Sequence, residues 1–447
     1  MKVTGGERLF ATTALFIIIY GLPIEWFTSP GLADVQAGDL QQSGGAGVVV
    51  VFVAIWAVAM IRMVGHFGVI VELSKRSWPL VLLSLCAVLS TLWSVDPATT
   101  LRRSFALLIT TMLAYYFVSK FSIPEFVRMA AWAILVGTAL SIVWIVALPR
   151  FGQQLSFGGG KSSFTGVFFN KNVAGRFWTL ATILLVFAAR TDRPRRFLWW
   201  PLAVVNAVLV FFSNSATSLG TLTLTMALSV VYISFRSRKT FYGAVATSFL
   251  GAIVIAVLFV TVNLDIVAKV LGRDVTLTGR TELWGRLPPF LVEAVPVGSG
   301  FAAFWGPYLS PGHDLYLANS WLPVNAHNQL FDIWLDLGLV GAILYLLLLL
   351  QGVVRASRFV RLVPGASGLL PLAIISAVTI TSITESGVVE RNANWLLLAM
   401  SVLYVSAARR KDFLDAQDAA VAEAAAASDE QESVIDPVAS ASSPALT

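Results

Sequence analysis

A histidine between two asparagines stands at the start of a long apolar run, in the stretch VNAHNQLFDIWLDLGLVG at residues 324–341. An imidazole gains and loses a proton near neutral pH, which few side chains do, so His327 is a candidate general base. Asn325 and Asn328 support a simpler interpretation, because an asparagine at this point is a good N-cap for the helix that follows. The motif therefore predicts either a catalytic histidine beside a helix cap or a polar helix start alone.

Other polar clusters contain cations that suit a phosphate ligand. In TGRTELW, Arg280 has the planar fork that holds two phosphate oxygens, and a contact with lipid headgroups is the alternative. In FNKN, Lys171 and Asn172 precede an apolar run, where they fit either a binding site or an interfacial lysine beside a helix cap. Glu385, in TESGVVER, ends another apolar run, and such an acid either has a basic partner or is a plain interfacial carboxylate.

The composition indicates which elements position these residues. The chain of 447 residues is 57% hydrophobic and 13% charged, with a mean hydropathy of +0.78. Soluble domains are about 45–50% apolar and about 25% charged. A soluble fold of this size cannot bury so much apolar surface, so we predict an all-α polytopic membrane protein. With Cys86 as its single cysteine and no zinc-type spacing, neither an internal disulfide nor a metal site is expected.

Apolar runs of about the length that crosses a bilayer, roughly 20 residues, recur along the chain. The twelve runs are 9–27, 46–64, 78–94, 104–119, 128–149, 173–189, 197–213, 216–235, 241–262, 329–350, 367–385 and 394–408. The first resembles a signal sequence, but the many runs after it favour an uncleaved helix. Residues 1–411 are therefore predicted to form one transmembrane domain, and 412–447 a disordered cytoplasmic tail.

The basic residues predict the orientation. If both termini are cytoplasmic, 20 of the 31 basic residues lie in inner segments, in agreement with the positive-inside rule. The remaining 11 are Arg102, Arg103, Arg150, Lys161, Lys171, Arg176, Lys269, Arg273, Arg280, Arg286 and Arg391. The net charge of +6 thus reflects orientation, and no nucleic-acid partner is expected. Cations on the outer face predict an anionic ligand, such as a lipid-linked pyrophosphate, an anionic lipid or an exported anion.

The outer segment 263–328 is the longest stretch without an apolar run. Within it, ELWGRLPPFLVEAV is expected to form a short amphipathic helix on the membrane, and His313 is expected to be an exposed loop residue. Residues 150–172 are rich in Gly and Ser and predict a loop or a re-entrant turn. The hydroxyl-rich SNSATS, at 213–218, predicts a tight turn between two spans.

Together these motifs resemble the O-antigen ligase and polymerase family of bacterial envelope enzymes. The likeness rests on TGVFFNKNVAG, GRTELW, the long outer loop, AHNQLFDIWLDLGLVG and TES, in that order, and it extends from about residue 80 to about residue 408. The form of the TGVFFNKNVAG motif, and the lack of a longer acceptor-binding insertion, resemble the exopolysaccharide polymerase branch.

The resemblance implies a metal-independent glycosyltransferase with a GT-C-like fold and no cofactor, located in the bacterial inner membrane with a periplasmic active site. The implied donor is an undecaprenyl-pyrophosphate-linked oligosaccharide, which is passed to a sugar hydroxyl of a second lipid-linked molecule. In the family the corresponding histidine is the candidate base and the arginine contacts the pyrophosphate; here these are His327 and Arg280. Membrane lipids and a chain-length regulator, or copolymerase, are the other partners that the resemblance implies.

Many ligases of the family carry a further arginine in the turn that matches SNSATS, and this chain has none there. We expect another cation to take its role. The residues predicted to bind substrate are Lys171, Asn172, Arg102, Arg103, Arg176, Asn328 and Glu385. Transfer of a glycan to lipid A core or to protein is the alternative to polymerisation. A transporter of lipid-linked sugars is disfavoured, because transporters place charged residues near the middle of the membrane and here the polar residues gather at one face.

Overall fold

The computed structural model describes residues 4–22, 46–154, 162–261, 280–305, 310–318 and 323–407. Each of the twelve predicted apolar runs overlaps a helix. These helices are α1 Gly5–Tyr20, α2 Ala46–Met63, α3 Trp78–Leu89, α4 Pro97–Lys120, α5 Ile123–Ala147, α6 Lys171–Thr191, α7 Arg196–Phe212, α8 Ala216–Phe235, α9 Phe241–Thr261, α10 Gln329–Leu362, α11 Gly365–Thr384 and α12 Ala393–Ala407.

Seven helices in the described part of the chain are both long and apolar enough to cross a membrane. The prediction of an all-α membrane protein is thereby confirmed. The count of twelve spans and the orientation of the termini stay predictions. The predicted tail at 412–447 and the first part of the outer segment, 262–279, lie outside the described residues.

Helix α11 lies at the centre of the bundle, where it packs against α6, α8, α9, α10 and α12. Its hydroxyl side chains bond to neighbouring helices: Ser382 contacts the Tyr345 hydroxyl at 2.6 Å, and Ser376 contacts the Tyr232 hydroxyl at 3.3 Å. Helices in lipid associate through close packing and through such interhelical hydrogen bonds, because the hydrophobic effect does not favour contacts between them over contacts with lipid. The central position of α11 fixes the location of Glu385, the residue that follows it.

Helix α10 is interrupted at Gly338, whose φ of +66° lies outside the helical range. The break leaves nearby backbone carbonyls without helical partners, and an outer segment supplies them. The Ser299 N–H donates to the Leu335 carbonyl at 3.0 Å, and the Gly300 N–H donates to the Asp336 carbonyl at 2.8 Å. The first turns of α10 are therefore fixed to the outer segment as well as to the bundle.

The outer segments contain short elements. Residues 150–172 include a short helix, Pro149–Gly152, and an antiparallel pair of two-residue strands, β1 Gln153–Gln154 and β2 Ser163–Phe164. In the long outer segment, the single amphipathic helix expected for ELWGRLPPFLVEAV is two helices, Arg280–Arg286 and Pro288–Glu293, because two consecutive prolines start a new helix.

The expectation that His313 is an exposed loop residue is wrong. It begins the helix His313–Ala318 and is partly buried. The SNSATS stretch forms the predicted tight turn between α7 and α8. Asn214 adopts a left-handed conformation in it, with φ of +53°, and Ser215 caps α8 by accepting from the Ser218 N–H at 3.4 Å.

Candidate functional site

The Asn-Ala-His-Asn motif forms the entry to α10. Asn328 is the N-cap, and its side-chain oxygen accepts from the backbone N–H groups of Leu330 and Phe331 at 3.0 and 3.1 Å. Its amide nitrogen donates to the Ile383 carbonyl at 3.1 Å. Asn328 therefore supplies an acceptor to free N–H groups at the start of α10 and links this helix to the end of α11. The helix-cap interpretation of Asn328 is confirmed.

The backbone of His327 is left-handed, with φ of +50°, a conformation that is uncommon outside glycine, although Asn, Asp and His adopt it more readily than other residues. Its N–H donates to the Asn325 side chain at 3.0 Å. The preceding residue, Ala326, is held on both sides: its N–H donates to Asp332 at 2.8 Å, and its carbonyl accepts from the Trp284 indole at 2.7 Å. These bonds fix the backbone that presents the imidazole.

Glu385 joins Arg280 to His327. Only 5% of Glu385 is exposed. Arg280 donates through Nη2 to Glu385 Oε1 at 2.9 Å and through Nη1 to the Thr384 carbonyl. His327 Nδ1 lies 3.7 Å from Glu385 Oε2. The basic partner expected for Glu385 is therefore Arg280, 105 residues away in the chain.

The charge of Glu385 is stabilised despite its burial. Burial raises the pKa of this carboxyl, but the contact with His327 and the positive charges of Arg280 and Arg176 outweigh that effect, so the pKa lies well below its usual range. An ionised carboxylate favours a proton on the imidazole nitrogen that faces it. In His327 the nitrogen near this carboxylate is Nδ1.

Arg176 approaches Glu385 from α6. Its side chain is buried, and Nη1 donates to the Ser386 carbonyl in the turn between α11 and α12. The same turn is held from α10, because the Gln329 side-chain oxygen accepts from the Val388 N–H at 2.6 Å. Helices α6 and α10 thus both fix the turn, and α6 places a second guanidinium near the Glu385 carboxylate.

One cavity of about 240 Å³ is lined by Arg176, His327, Gln329 and Glu385, among others. The charged residues in its lining are Arg102, Arg103, Arg176, Arg391, Asp96, Asp332, Asp336, Glu385 and Glu390. Carboxylates therefore accompany the guanidinium groups in the lining of the cavity. Among the described residues, no group of three or more His, Cys, Asp or Glu side chains is arranged to hold a metal ion.

The cavity brings together most of the predicted site residues. Those that line it are His327, Asn172, Arg102, Arg103, Arg176 and Glu385. Arg280, Asn328 and Lys171 are not among the described lining residues: Arg280 holds Glu385, and Asn328 caps α10. Lys171 is the first residue of α6, where its backbone N–H donates to the Gln154 side chain at 3.0 Å.

Two acids of the site, Asp332 and Asp336, were not predicted from the sequence. They lie one turn apart on α10 and are each 7% exposed. Asp332 accepts from the Trp305 indole at 2.8 Å, and Asp336 accepts from the Phe304 N–H at 3.3 Å. A signal was present, because both acids stand in the apolar stretch FDIWLDLGLVG, where an acid without a partner is unfavourable.

Comparison with known proteins shows what the chain is similar to. The family model described as O-antigen ligase matches residues 201–346, a range that includes Arg280 and His327. The resemblance seen in the motifs of the chain is thereby confirmed.

A curated relative agrees with this assignment. The chain is 25% identical over 278 residues to the exopolysaccharide production protein ExoQ of Rhizobium meliloti (strain 1021), and the match covers 60% of this chain. The chain spans 62% of the length of that relative. The similarity supports an ExoQ-like position within the family.

Proposed function

We propose that this protein is a membrane glycosyltransferase that joins undecaprenyl-pyrophosphate-linked oligosaccharide repeats into exopolysaccharide at the periplasmic face of the bacterial inner membrane. The observation that carries the proposal is the contact of Arg280 with Glu385 and of Glu385 with His327 beside a charged cavity, in a chain whose residues 201–346 match the family model described as O-antigen ligase. The similarity to an exopolysaccharide production protein favours polymerisation over transfer to lipid A core. A chain-length regulator is the proposed protein partner, and co-purification from native membranes tests it.

His327 acts as the general base. The Glu385 carboxylate, 3.7 Å from Nδ1, favours a proton on that nitrogen, and Nε2 takes the proton of the acceptor hydroxyl as the hydroxyl oxygen attacks the anomeric carbon of the donor sugar. The bond from that carbon to the pyrophosphate oxygen breaks, and its electron pair leaves with the lipid pyrophosphate. A single displacement inverts the anomeric centre. Retention of configuration, seen in an NMR analysis of the product, would exclude this route.

The leaving pyrophosphate needs cations fixed where its charge grows. We assign this role to Arg176, Arg102 and Arg103, which line the cavity. Arg176 suits it by position, because the neighbouring Gly175 packs so closely on the SNSATS turn that a Cβ there would lie 2.5 Å from Ser218 Oγ. Arg176 thus lies beside the turn where ligases of the family carry their further arginine.

The resemblance implies that Arg280 contacts the phosphate directly. Its guanidinium is engaged by Glu385 and the Thr384 carbonyl, so we assign it to hold the carboxylate that orients His327. These roles require no metal ion. Activity in membranes washed with EDTA tests that independence, and activity that returns only when a divalent cation is added contradicts it.

A deletion strain distinguishes this reaction from its alternatives. Loss of a polymerase leaves single lipid-linked repeats, loss of a ligase leaves finished but unattached polymer, and loss of a flippase leaves repeats on the inner leaflet. We expect the first result. Complementation with His327→Ala, at a matched amount of protein in the membrane, should yield no polymer. Polymer of near-normal length would remove His327 from the mechanism.

A further inference from the structure

Asp332 connects the loop that presents His327 to a distant part of the outer segment. One carboxylate oxygen, Oδ1, accepts two hydrogen bonds of 2.8 Å, from the Ala326 N–H and from the Trp305 indole. Ala326 is completely buried and Asp332 is 7% exposed, so water does not compete for these bonds. A single buried oxygen of Asp332 therefore links the residue before His327 to Trp305.

The conformation of His327 makes such a restraint necessary. A left-handed backbone is unfavourable for a residue with a side chain, by roughly 1–2 kcal/mol, and persists where the surroundings impose it. On the C-terminal side of His327 the restraint is the Asn328 cap. On the N-terminal side it is the pair of bonds to Ala326, from Asp332 and from Trp284.

We propose that Asp332 is a positioning residue that fixes the backbone of His327, and with it the direction of the imidazole, by accepting the Ala326 N–H. Its contribution to the reaction rests on the proposed function, in which His327 is the base. The positioning itself does not, because it concerns only contacts within the chain. An acceptor oxygen is sufficient for this task, and a negative charge is not required.

The two substitutions Asp332→Asn and Asp332→Ala distinguish the effect of the hydrogen-bond acceptor from the effect of the negative charge. Asparagine keeps an oxygen that can occupy the Oδ1 position, whereas alanine removes it. Asp192 provides a matched control, because it is also buried and accepts from an indole, that of Trp199, at 3.1 Å. Asp192 is the C-cap of α6, roughly 30 Å from the end of that helix at the cavity.

The first measurement does not depend on the enzymatic activity. The full-length protein in membranes is treated with diethyl pyrocarbonate, and mass spectrometry follows the modification of His327, with His66 and His313 as internal references. The His327 side chain is 19% exposed, so loosening its loop increases its reactivity. We expect Asp332→Ala to raise the rate on the order of fivefold, the factor for one lost hydrogen bond, and Asp332→Asn and Asp192→Ala to leave it near the wild-type rate.

The second measurement is polymer formation in the complemented deletion strain. We expect Asp332→Ala to reduce it roughly 100-fold, as misplacement of a reacting group does, and Asp332→Asn to restore most of it. An asparagine variant that loses as much as the alanine variant would overturn the proposal, since the charge would then matter. Unchanged His327 reactivity in Asp332→Ala, or an equal rise in Asp192→Ala, would overturn it too.

The two proposals fail in different ways. If the reactivity pattern is as expected but His327→Ala still makes normal polymer, the proposed base is wrong and the positioning by Asp332 stands. If His327→Ala abolishes polymer but Asp332→Ala changes neither reactivity nor polymer, the base stands and the positioning residue is wrong.

Discussion

At the scale of single residues, the guanidinium of Arg280 binds a carboxylate and a backbone carbonyl at once. A lysine keeps the charge but has no planar fork for two acceptors. We expect Arg280→Lys to reduce polymer formation roughly 100-fold, because Glu385 is no longer held against His327. Polymer length and amount in the complemented deletion strain measure the effect.

The neighbouring Arg286 supplies the control for this substitution. It forms an ion pair with Glu282 at 2.7 Å on the same short helix, and this pair is substantially exposed. Exposed pairs contribute about 1 kcal/mol or less, so Arg286→Lys should behave as wild type. Wild-type turnover in Arg280→Lys as well would indicate that Arg280 contacts lipid and does not support the site.

The ionisation of Glu385 has a consequence for stability. Because folding lowers the pKa of this carboxyl, its ionised form stabilises the protein above about pH 4.5, and this contribution is lost as the pH falls through the folded value. Glu385→Gln should therefore lower the stability at neutral pH, by about 3 kcal/mol for a broken buried ion pair. Thermal unfolding in detergent at neutral and acidic pH measures this. Equal stability at neutral pH, or a difference that widens in acid, would contradict the assignment.

Residue types could be predicted from the sequence, but their partners could not. His327, Arg280 and Glu385 attract notice because each is a polar residue where an apolar pattern begins or ends. That Glu385 pairs with Arg280, and not with another of the out-of-place cations, depends on the packing of α11 in the bundle. The double bond to Asp332 Oδ1 likewise depends on contacts between segments that are separate in the chain.

At the scale of elements, the break in α10 tests the contact between this helix and the outer segment. A Cβ at Gly338 would collide with the Pro296 carbonyl, and its φ of +66° is unfavourable for alanine. We expect Gly338→Ala to lower the free energy of unfolding by about 2 kcal/mol or more. We also expect it to raise the reactivity of His327 toward diethyl pyrocarbonate, because the start of α10 is then held less firmly. Gly220, in the second turn of α8 and with nothing within 4 Å of an added Cβ, is the control. Gly220→Ala should be neutral or stabilising by about 0.5–1 kcal/mol, and a similar loss in both variants would mean that the break has no special role.

The positions of the helices could be predicted from the sequence, but the break in α10 could not. A bilayer requires a run of roughly 20 apolar residues, and such runs are visible in the sequence. The break at Gly338 lies inside one continuous run, DIWLDLGLVGAILY, and nothing in the local pattern marks it. It exists because a segment about 40 residues earlier, near Ser299, supplies hydrogen bonds to the carbonyls that the break exposes.

At the scale of the whole molecule, the cavity is lined by residues from separate segments of the chain. With a fifth segment, 301–305, they lie within 96–106, 169–176, 324–336 and 385–391, and the sequence predicts that all of these are on the outer side. The basic turn near Arg236 and Arg238 is predicted to face the cytoplasm.

Reporter fusions test that orientation. Alkaline phosphatase, which is active only after export, should be active when fused within the helix His313–Ala318 and inactive when fused after Arg238. A fluorescent protein at the C-terminus should fold in the cytoplasm. The reverse pattern would place the cavity on the cytoplasmic side and would exclude a periplasmic reaction.

The left-handed backbone at His327 also decides which substitution of this residue would give an inactive protein that keeps its folded loop. Alanine is strained there, whereas asparagine adopts this conformation readily and has no nitrogen that accepts a proton. His327→Asn should therefore preserve the loop and still bind donor and acceptor without joining them. Such a substrate trap, purified from cells that make the repeat unit, would let mass spectrometry of the co-purified lipids identify the sugar and its carrier directly.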